Sequence, residues 1–342
     1  MVDATYTDSG PTIVMRKQRE YDEDDIRTRP SRSTKPRSKD RPQFADALAA
    51  RVITIDRGRV TCATDDGREF FAITARELGR RSVVVGDLVA VVGIPEANQA
   101  REDFARIVRI EERKNSLRRS ADDGSERVLV ANVDYLAIVS ATSNPEPKHG
   151  FVNRALVAAF AEGITPILVM TKSDLASGDE FLEIYKAMDL PTFQLRKDRM
   201  PSDLIEFIRG KVTVLIGHSG VGKSTLINKI VKEAERQTGE VNEATGKGRH
   251  TSSSAVALEL EGDGWIIDTP GVRSFGLSHI AKDDVIAAFP DCAEIATRCP
   301  KNCSHNESEC ALNAWVGDDV GRQGRVAALR QILASLESIS IK

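Results

Sequence analysis

The chain has 342 residues, of which 41% are apolar and 29% charged, with a formal net charge of −3. That length accommodates two or three domains with cores of their own, and the composition excludes a fibrous or wholly disordered chain. No apolar run of about 18 residues occurs and the first residues form no apolar segment, so a cytoplasmic protein with no membrane partner is expected.

Residues 1–44 lack apolar periodicity and are rich in Arg, Ser, Thr, Pro and Asp. Arg27, Arg29, Arg32, Lys35, Arg37, Lys39 and Arg41 face a single acid, Asp40, in the second part of this tail. Two readings are open: a solvated, disordered segment, or a basic arm that neutralises nucleic-acid phosphates. No aromatic lies within the basic run, which argues against base stacking as its main contribution.

Residues 45–119 change character. RVITI, RVTCAT, EFFAIT, DLVAVVG and ARIVRIEE are short apolar or alternating runs broken by turn residues. Five such strands predict a small β-barrel of the oligonucleotide-binding (OB) type. Arg57, Arg59, Arg68, Arg80, Arg81, Lys114, Arg118 and Arg119 would give it a basic rim suited to RNA. A generic small β-domain without a ligand is the alternative.

Residues 120–284 read as a nucleotide-binding domain. Tyr135–Ser140 and Ile164–Met170 look like buried parallel strands flanking a helix over Phe151–Glu162. The second strand ends in Thr171-Lys172-Ser173-Asp174, at the edge where doubly wound sheets bind ligands. Asp174 can accept from both the ring N–H and the exocyclic amine of guanine, a pair of donors that adenine lacks; Lys172 can lay its stem across the base. Next, the apolar run Val212–Ile216 precedes Gly217-His218-Ser219-Gly220-Val221-Gly222-Lys223-Ser224-Thr225, a complete phosphate-loop signature opening a helical pattern. Its backbone N–H groups and the helix N-terminus suit phosphate, Lys223 suits the β- and γ-phosphates, and Ser224 suits Mg²⁺. The polar stretch GKGRHTSSS, residues 246–254, offers Thr251 as a second hydroxyl for Mg²⁺. Finally Asp268-Thr269-Pro270-Gly271 follows a strand; Asp268 can hold the Mg²⁺ shell and the Gly271 N–H can meet the γ-phosphate.

The base-specificity segment thus precedes the phosphate loop, whereas in ordinary GTPases it comes last. With GHSGVGKSTLIN, GRHT, DTPGVRSFGL and a distal Cys/His cluster, the chain from residue 45 onward resembles the circularly permuted GTPases of the RsgA (YjeQ) family. The resemblance implies a multidomain α/β protein: a five-stranded OB-type barrel, a circularly permuted P-loop GTPase domain and a C-terminal zinc-binding domain. It also implies GTP hydrolysis stimulated by the small ribosomal subunit and a role in that subunit's late maturation. Three positions depart from common GTPase patterns. Thr171 stands where many carry Asn, removing one side-chain amide tie. No Ser-Ala base-backing motif is evident in Pro191–Lys197. Val272 follows Gly271, where Ras-like enzymes place the glutamine that orients water, so slow intrinsic turnover is expected and His250 is the candidate substitute; a solvated loop histidine is the alternative.

In residues 285–342, Cys299, Cys303, His305 and Cys310 offer three thiolates and an imidazole, the donor set of a closed, structural zinc site. Cys292 is a weaker ligand candidate, and Cys62 reads as a small core residue. Val326, Leu329, Ile332, Leu333, Leu336 and Ile339 recur at helical spacing, the pattern of a helix packing the metal loop onto the preceding domain. The leading expectation is a monomeric GTPase that grips rRNA of the small subunit and is released on hydrolysis. The alternative is a zinc-stabilised RNA-binding module that senses GTP without productive turnover.

Overall fold

The computed structural model describes residues 44, 46–56, 58–79, 82–95, 104–120, 126–238, 255–260, 264–269, 277 and 280–340. The basic tail, His250, Thr251, Gly271 and Val272 lie outside these residues, as do Arg57, Arg80 and Arg81.

Five strands appear where alternation places them: β1 Leu48–Asp56, β2 Arg59–Ala63, β3 Glu69–Thr74, β4 Leu88–Val92 and β5 Ala105–Ile110. They pair in the order β1-β2-β3-β5-β4, and β4 pairs back onto β1, closing a barrel. A register shift between Val52 and Thr54 lets one strand serve two partners, β4 through Leu48–Arg51 and β2 through Arg51–Asp56. Ala50, Val52, Val60, Cys62, Ala72, Val89, Val91 and Ile107 fill the interior. Cys62 is buried there as expected, and burial pushes its thiol up to about 12. Asp87, fully buried at the start of β4, accepts from both Nε (2.7 Å) and the terminal nitrogen (2.9 Å) of Arg113 and from the Val84 N–H (2.8 Å). This fork ties the barrel to the chain that leaves it.

A hairpin of β6 Ser116–Ser120 and β7 Glu126–Ala131 follows. It abuts the barrel at Gly86, where an added Cβ would lie 2.2 Å from the Ala131 carbonyl oxygen. The remaining elements are β8 Tyr135–Ala141, α1 His149–Ala161, β9 Thr165–Thr171, α2 Asp179–Glu183, β10 Thr192–Gln194, α3 Ser202–Ile208, β11 Val212–Ile216, α4 Lys223–Thr238, β12 Val256–Leu260 and β13 Gly264–Asp268. After them come α5 Lys282–Ala287, α6 Pro290–Ala296, α7 Ala311–Val316 and α8 Val320–Ser340.

The second sheet runs β10-β9-β8-β11-β13-β12, parallel except for the antiparallel edge β12. Its central strands are apolar almost throughout, because helices cover both faces: every residue of β11 is buried, and six of seven in β8 and in β9. The edge strand β12 also pairs with β1 at Thr54↔Val256, so barrel and parallel sheet share one continuous hydrogen-bonded surface. Arg51 reinforces the seam, its guanidinium 5.9 Å from the Trp265 ring centroid.

In α8, Val326, Leu329, Ile332, Leu333 and Leu336 are all buried, in one core with α1, α5 and α6. The side chain of Ile339 lies outside the described residues. A polar chain crosses this core: Gln331 Nε2 and Tyr185 Oη both donate to Asn153 Oδ1, at 3.2 and 3.1 Å. None of the described helices is long and apolar enough to cross a membrane.

Candidate functional site

At the end of β11 the chain must turn tightly under β8. A Cβ on Gly217 would lie 2.5 Å from the Val139 carbonyl oxygen, so only glycine fits. Gly220 and Gly222 adopt φ of +82° and +91°, open to glycine at no steric cost. Residues 217–222 therefore form a loop that ends at the N-terminus of α4, with Ser219, Ser224 and Thr225 exposed at its mouth. The His218 ring packs 4.4 Å from that of Phe151 on α1, and Val221 is buried beneath the loop.

Lys223, only 12% exposed, donates to Asp268 Oδ1 at 3.0 Å. In the β11–β13 register Leu215 is paired with Asp268, which places that carboxylate beside the phosphate loop. The next residue, Thr269, is buried and donates to the Leu215 carbonyl at 2.8 Å, pinning the strand end. Two segments separated by 44 intervening residues thus meet at one sheet edge.

The end of β9 arrives from the other side. Thr171 is buried, and its hydroxyl donates to the Val221 carbonyl of the phosphate loop. The expected loss of an amide tie at this position is thus offset by a hydroxyl tie. Lys172 takes φ +59° and donates to the Asn144 carbonyl, while its own carbonyl accepts from Thr142 Oγ1 at 2.8 Å. Ser173 Oγ donates to the Leu195 carbonyl at 2.7 Å. Asp174 is exposed and accepts the Lys197 N–H at 3.0 Å; this bond holds its carboxyl below the usual aspartate range. The stretch after β10, where no base-backing motif is evident, therefore still faces residues 171–174 and supports them through its backbone.

A second constellation lies between α6 and α7. The ligand atoms of Cys299, Cys303, His305 and Cys310 all lie within 4.8 Å of one another. Cys299 Sγ is 3.7 Å from both Cys310 Sγ and His305 Nδ1, and Cys310 Sγ is 3.8 Å from His305 Nδ1. Ligand bonds of about 2.0–2.3 Å in a tetrahedron give edges of about 3.5–3.8 Å, so Cys299, His305 and Cys310 already stand at the separations of a four-coordinate divalent cation, with Cys303 within 4.8 Å of them as the fourth donor. Asn302 and His305 take φ of +62° and +68°, which makes the short Cys-x-His turn possible. Burial pulls the His305 imidazole below its ordinary value, in the direction that favours the neutral form metal binding requires. Cys292 is buried away from the cluster.

Glu307 escaped the sequence reading. Its carboxylate accepts the Ser304 N–H at 2.9 and 3.0 Å and the Cys303 thiol at 3.1 Å. Those bonds, the Ser304 N–H first, pull it down to about 2. Arg330 on α8 donates to the His305 carbonyl at 2.7 Å, fastening the metal loop to the long helix. The spacing Cys303-Ser-His-Asn-Glu was the available signal for Glu307: an acid one short turn beyond the ligands.

The predicted basic rim is partly spent within the fold. Lys114 pairs with Asp134 (2.8 Å) and Arg118 with Glu162 (3.8 Å). Arg59 instead lies over the Phe71 and Phe104 rings, 5.6 and 5.3 Å from their centroids.

A family model described as RsgA GTPase matches residues 110–278. The chain is 37% identical over 235 residues to the small ribosomal subunit biogenesis GTPase RsgA of Ectopseudomonas mendocina, covering 66% of this chain and 68% of that protein. It is 34% identical over 304 residues to the protein of the same name from Chlorobaculum tepidum, covering 84% and 94%. Among solved structures it is similar to YjeQ from Thermotoga maritima, with TM-score 0.64 and 23% identity over 85% of this chain and 99% of that one. It is similar also to YloQ, a circularly permuted GTPase, with TM-score 0.62 and 21% identity over 87% and 98%. A closed five-stranded barrel, a parallel sheet with its motifs in permuted order, and a Cys₃His cluster together agree with these likenesses: the chain belongs to the RsgA GTPase family.

Proposed function

We propose that the chain is a GTP-hydrolysing assembly factor that binds the small ribosomal subunit, acts late in its maturation and leaves on hydrolysis. The observation that supports this most is the convergence of Asp174, Lys223 and Asp268, from three separate stretches of sequence, on one edge of the parallel sheet. Asp174 reads guanine by accepting two N–H donors, Lys172 lies along the base, and Thr171 and Ser173 fix that segment. Gly217, His218, Ser219, Gly220, Val221, Gly222 and Thr225 wrap the phosphates, and Lys223 moves from Asp268 to the β- and γ-phosphates. Mg²⁺ bound with GTP would neutralise charge building on the phosphates, held by Ser224, Thr251 and Asp268. Gly271 would meet the γ-phosphate, and His250 would orient the attacking water once the subunit places it.

Cys299, Cys303, His305 and Cys310 hold one structural zinc, which leaves no open position for chemistry. Residues 45–119 act as the OB domain, 120–284 as the GTPase domain and 285–342 as the zinc domain. Barrel and zinc domain grip rRNA, with the protein acting as a cytoplasmic monomer. The test is GTP and ATP hydrolysis by the full chain with and without purified small subunits. Turnover of GTP, not ATP, should rise sharply with subunits; GTP turnover unchanged at saturating subunits refutes the proposal.

A further inference from the structure

Residues 196–200, in the loop after β10, are all exposed, and none belongs to the buried core. The Arg196–Asp198 ion pair at 3.0 Å is internal to the loop and anchors it to nothing else. Yet this loop supplies the N–H that supports Asp174. Its long-range anchor is a lysine on the helix after the phosphate loop. Lys229 Nζ donates to the carbonyls of Lys197 (2.7 Å), Arg199 (2.7 Å) and Arg196 (3.4 Å), using all three ammonium donors.

The geometry at one peptide explains why this matters. In a trans peptide the C=O and N–H point opposite ways. The Arg196–Lys197 peptide offers its oxygen to Lys229 and its N–H to Asp174. The ammonium thus bears on the donor's peptide weakly at its own oxygen, 3.4 Å away, and firmly at the Lys197 carbonyl of the next peptide, 2.7 Å away, holding the Lys197 N–H toward the carboxylate from both sides. Lys229 sits six residues beyond Lys223, roughly 9 Å along the same helix. One helix therefore carries both the phosphate-facing lysine and the anchor of the base-facing loop.

We propose that Lys229 is a specificity-positioning residue: it orients the Lys197 N–H, through it the Asp174 carboxylate, and so sets the preference for guanine. This rests on the base-reading role proposed for Asp174. A purely structural anchor would alter stability or all nucleotides alike, whereas a specificity-positioning residue alters only those that Asp174 reads.

The experiment is calorimetric titration of GDP, IDP and ADP into the full-length chain and its Lys229→Met variant, which keeps the stem and removes the donors. GDP presents two N–H donors to Asp174, IDP one and ADP neither. GDP affinity should fall roughly ten-fold and the GDP-over-IDP preference shrink roughly three-fold or more, with ADP affinity held, showing an intact phosphate grip. An unchanged GDP-over-IDP ratio, or equal weakening of GDP and ADP, overturns the proposal. Asp174→Asn, titrated in parallel with GDP and XDP, separates the two ideas. A shift toward XDP there, with Lys229→Met unaltered, removes Lys229 alone. No shift removes the base-reading role and this inference together.

Discussion

Thr171→Val isolates the tie between the end of β9 and the glycine-rich loop after β11. Valine keeps the β-branched shape at the end of β9 and deletes only the hydroxyl, so no cavity opens. What it removes is the donor to the Val221 carbonyl, from a residue 7% exposed. Leaving a buried carbonyl without its partner costs about 1–3 kcal/mol. If only the nucleotide-bound arrangement requires the tie, a loss of about 1–2 kcal/mol appears as a roughly five- to thirty-fold rise in the Kd for GDP. If the tie is equally needed without nucleotide, the same loss appears instead as a lower urea midpoint with Kd unchanged. Calorimetric GDP titration together with urea unfolding of wild type, Thr171→Val and Thr171→Ser tells these apart. Serine, which keeps the hydroxyl, should stay near wild type in both. A valine variant with unaltered Kd and unaltered midpoint refutes the reasoning.

Asp87→Ala should destabilise the folded chain by about 2–3 kcal/mol in urea unfolding, because it removes both fork bonds of Arg113, which keeps only its bond to the Ser82 carbonyl, and leaves the Val84 N–H unpaired; a change below about 1 kcal/mol counts against the fork as a principal staple of the barrel. Native mass spectrometry should find one zinc per chain, and chelation or Cys310→Ser should expose α7 and α8 in hydrogen exchange, since a closed Cys₃His site contributes on the order of 10 kcal/mol to folding. Full protection after verified metal removal contradicts a structural metal. The carboxyl of Asp174 is held below its ordinary 3.8 by the Lys197 N–H, so it stays ionised on the neutral side and protonates only as the pH falls through that lowered value. Preference for GDP over ADP should therefore be flat from about pH 8 to about pH 5; a half-loss near pH 6 points to a different titrating group.

The parts legible in the sequence were those whose physics is local. The barrel strands announced themselves by alternation and turn residues, the phosphate loop by glycine spacing, α8 by its apolar stripe and the metal cluster by donor type. Features that depend on pairing between distant segments left no such trace. The β1–β12 pairing joins Thr54 to Val256 through backbone groups that any residues would supply. The β6–β7 hairpin sits where the reading drew a domain boundary, at residue 119, within β6. Lys229 looks like one more charge on an amphipathic helix until the loop that it anchors is placed beside it. The basic rim shows the converse: charge counting cannot distinguish Lys114 and Arg118, which have acidic partners in the fold, from cations that have none there. Thr171 is intermediate, since its departure from the usual asparagine was visible but the carbonyl awaiting its hydroxyl was not.

Everything proposed for the nucleotide depends on segments rearranged in sequence building one guanine site. The direct measurement is equilibrium titration of GDP and XDP against wild type and Asp174→Asn, with Lys223→Ala as the phosphate-loop control. The account predicts that wild type prefers GDP, that Asp174→Asn reverses the preference toward XDP, and that Lys223→Ala weakens both without altering their ratio. An Asp174→Asn variant that still prefers GDP by the wild-type margin contradicts it.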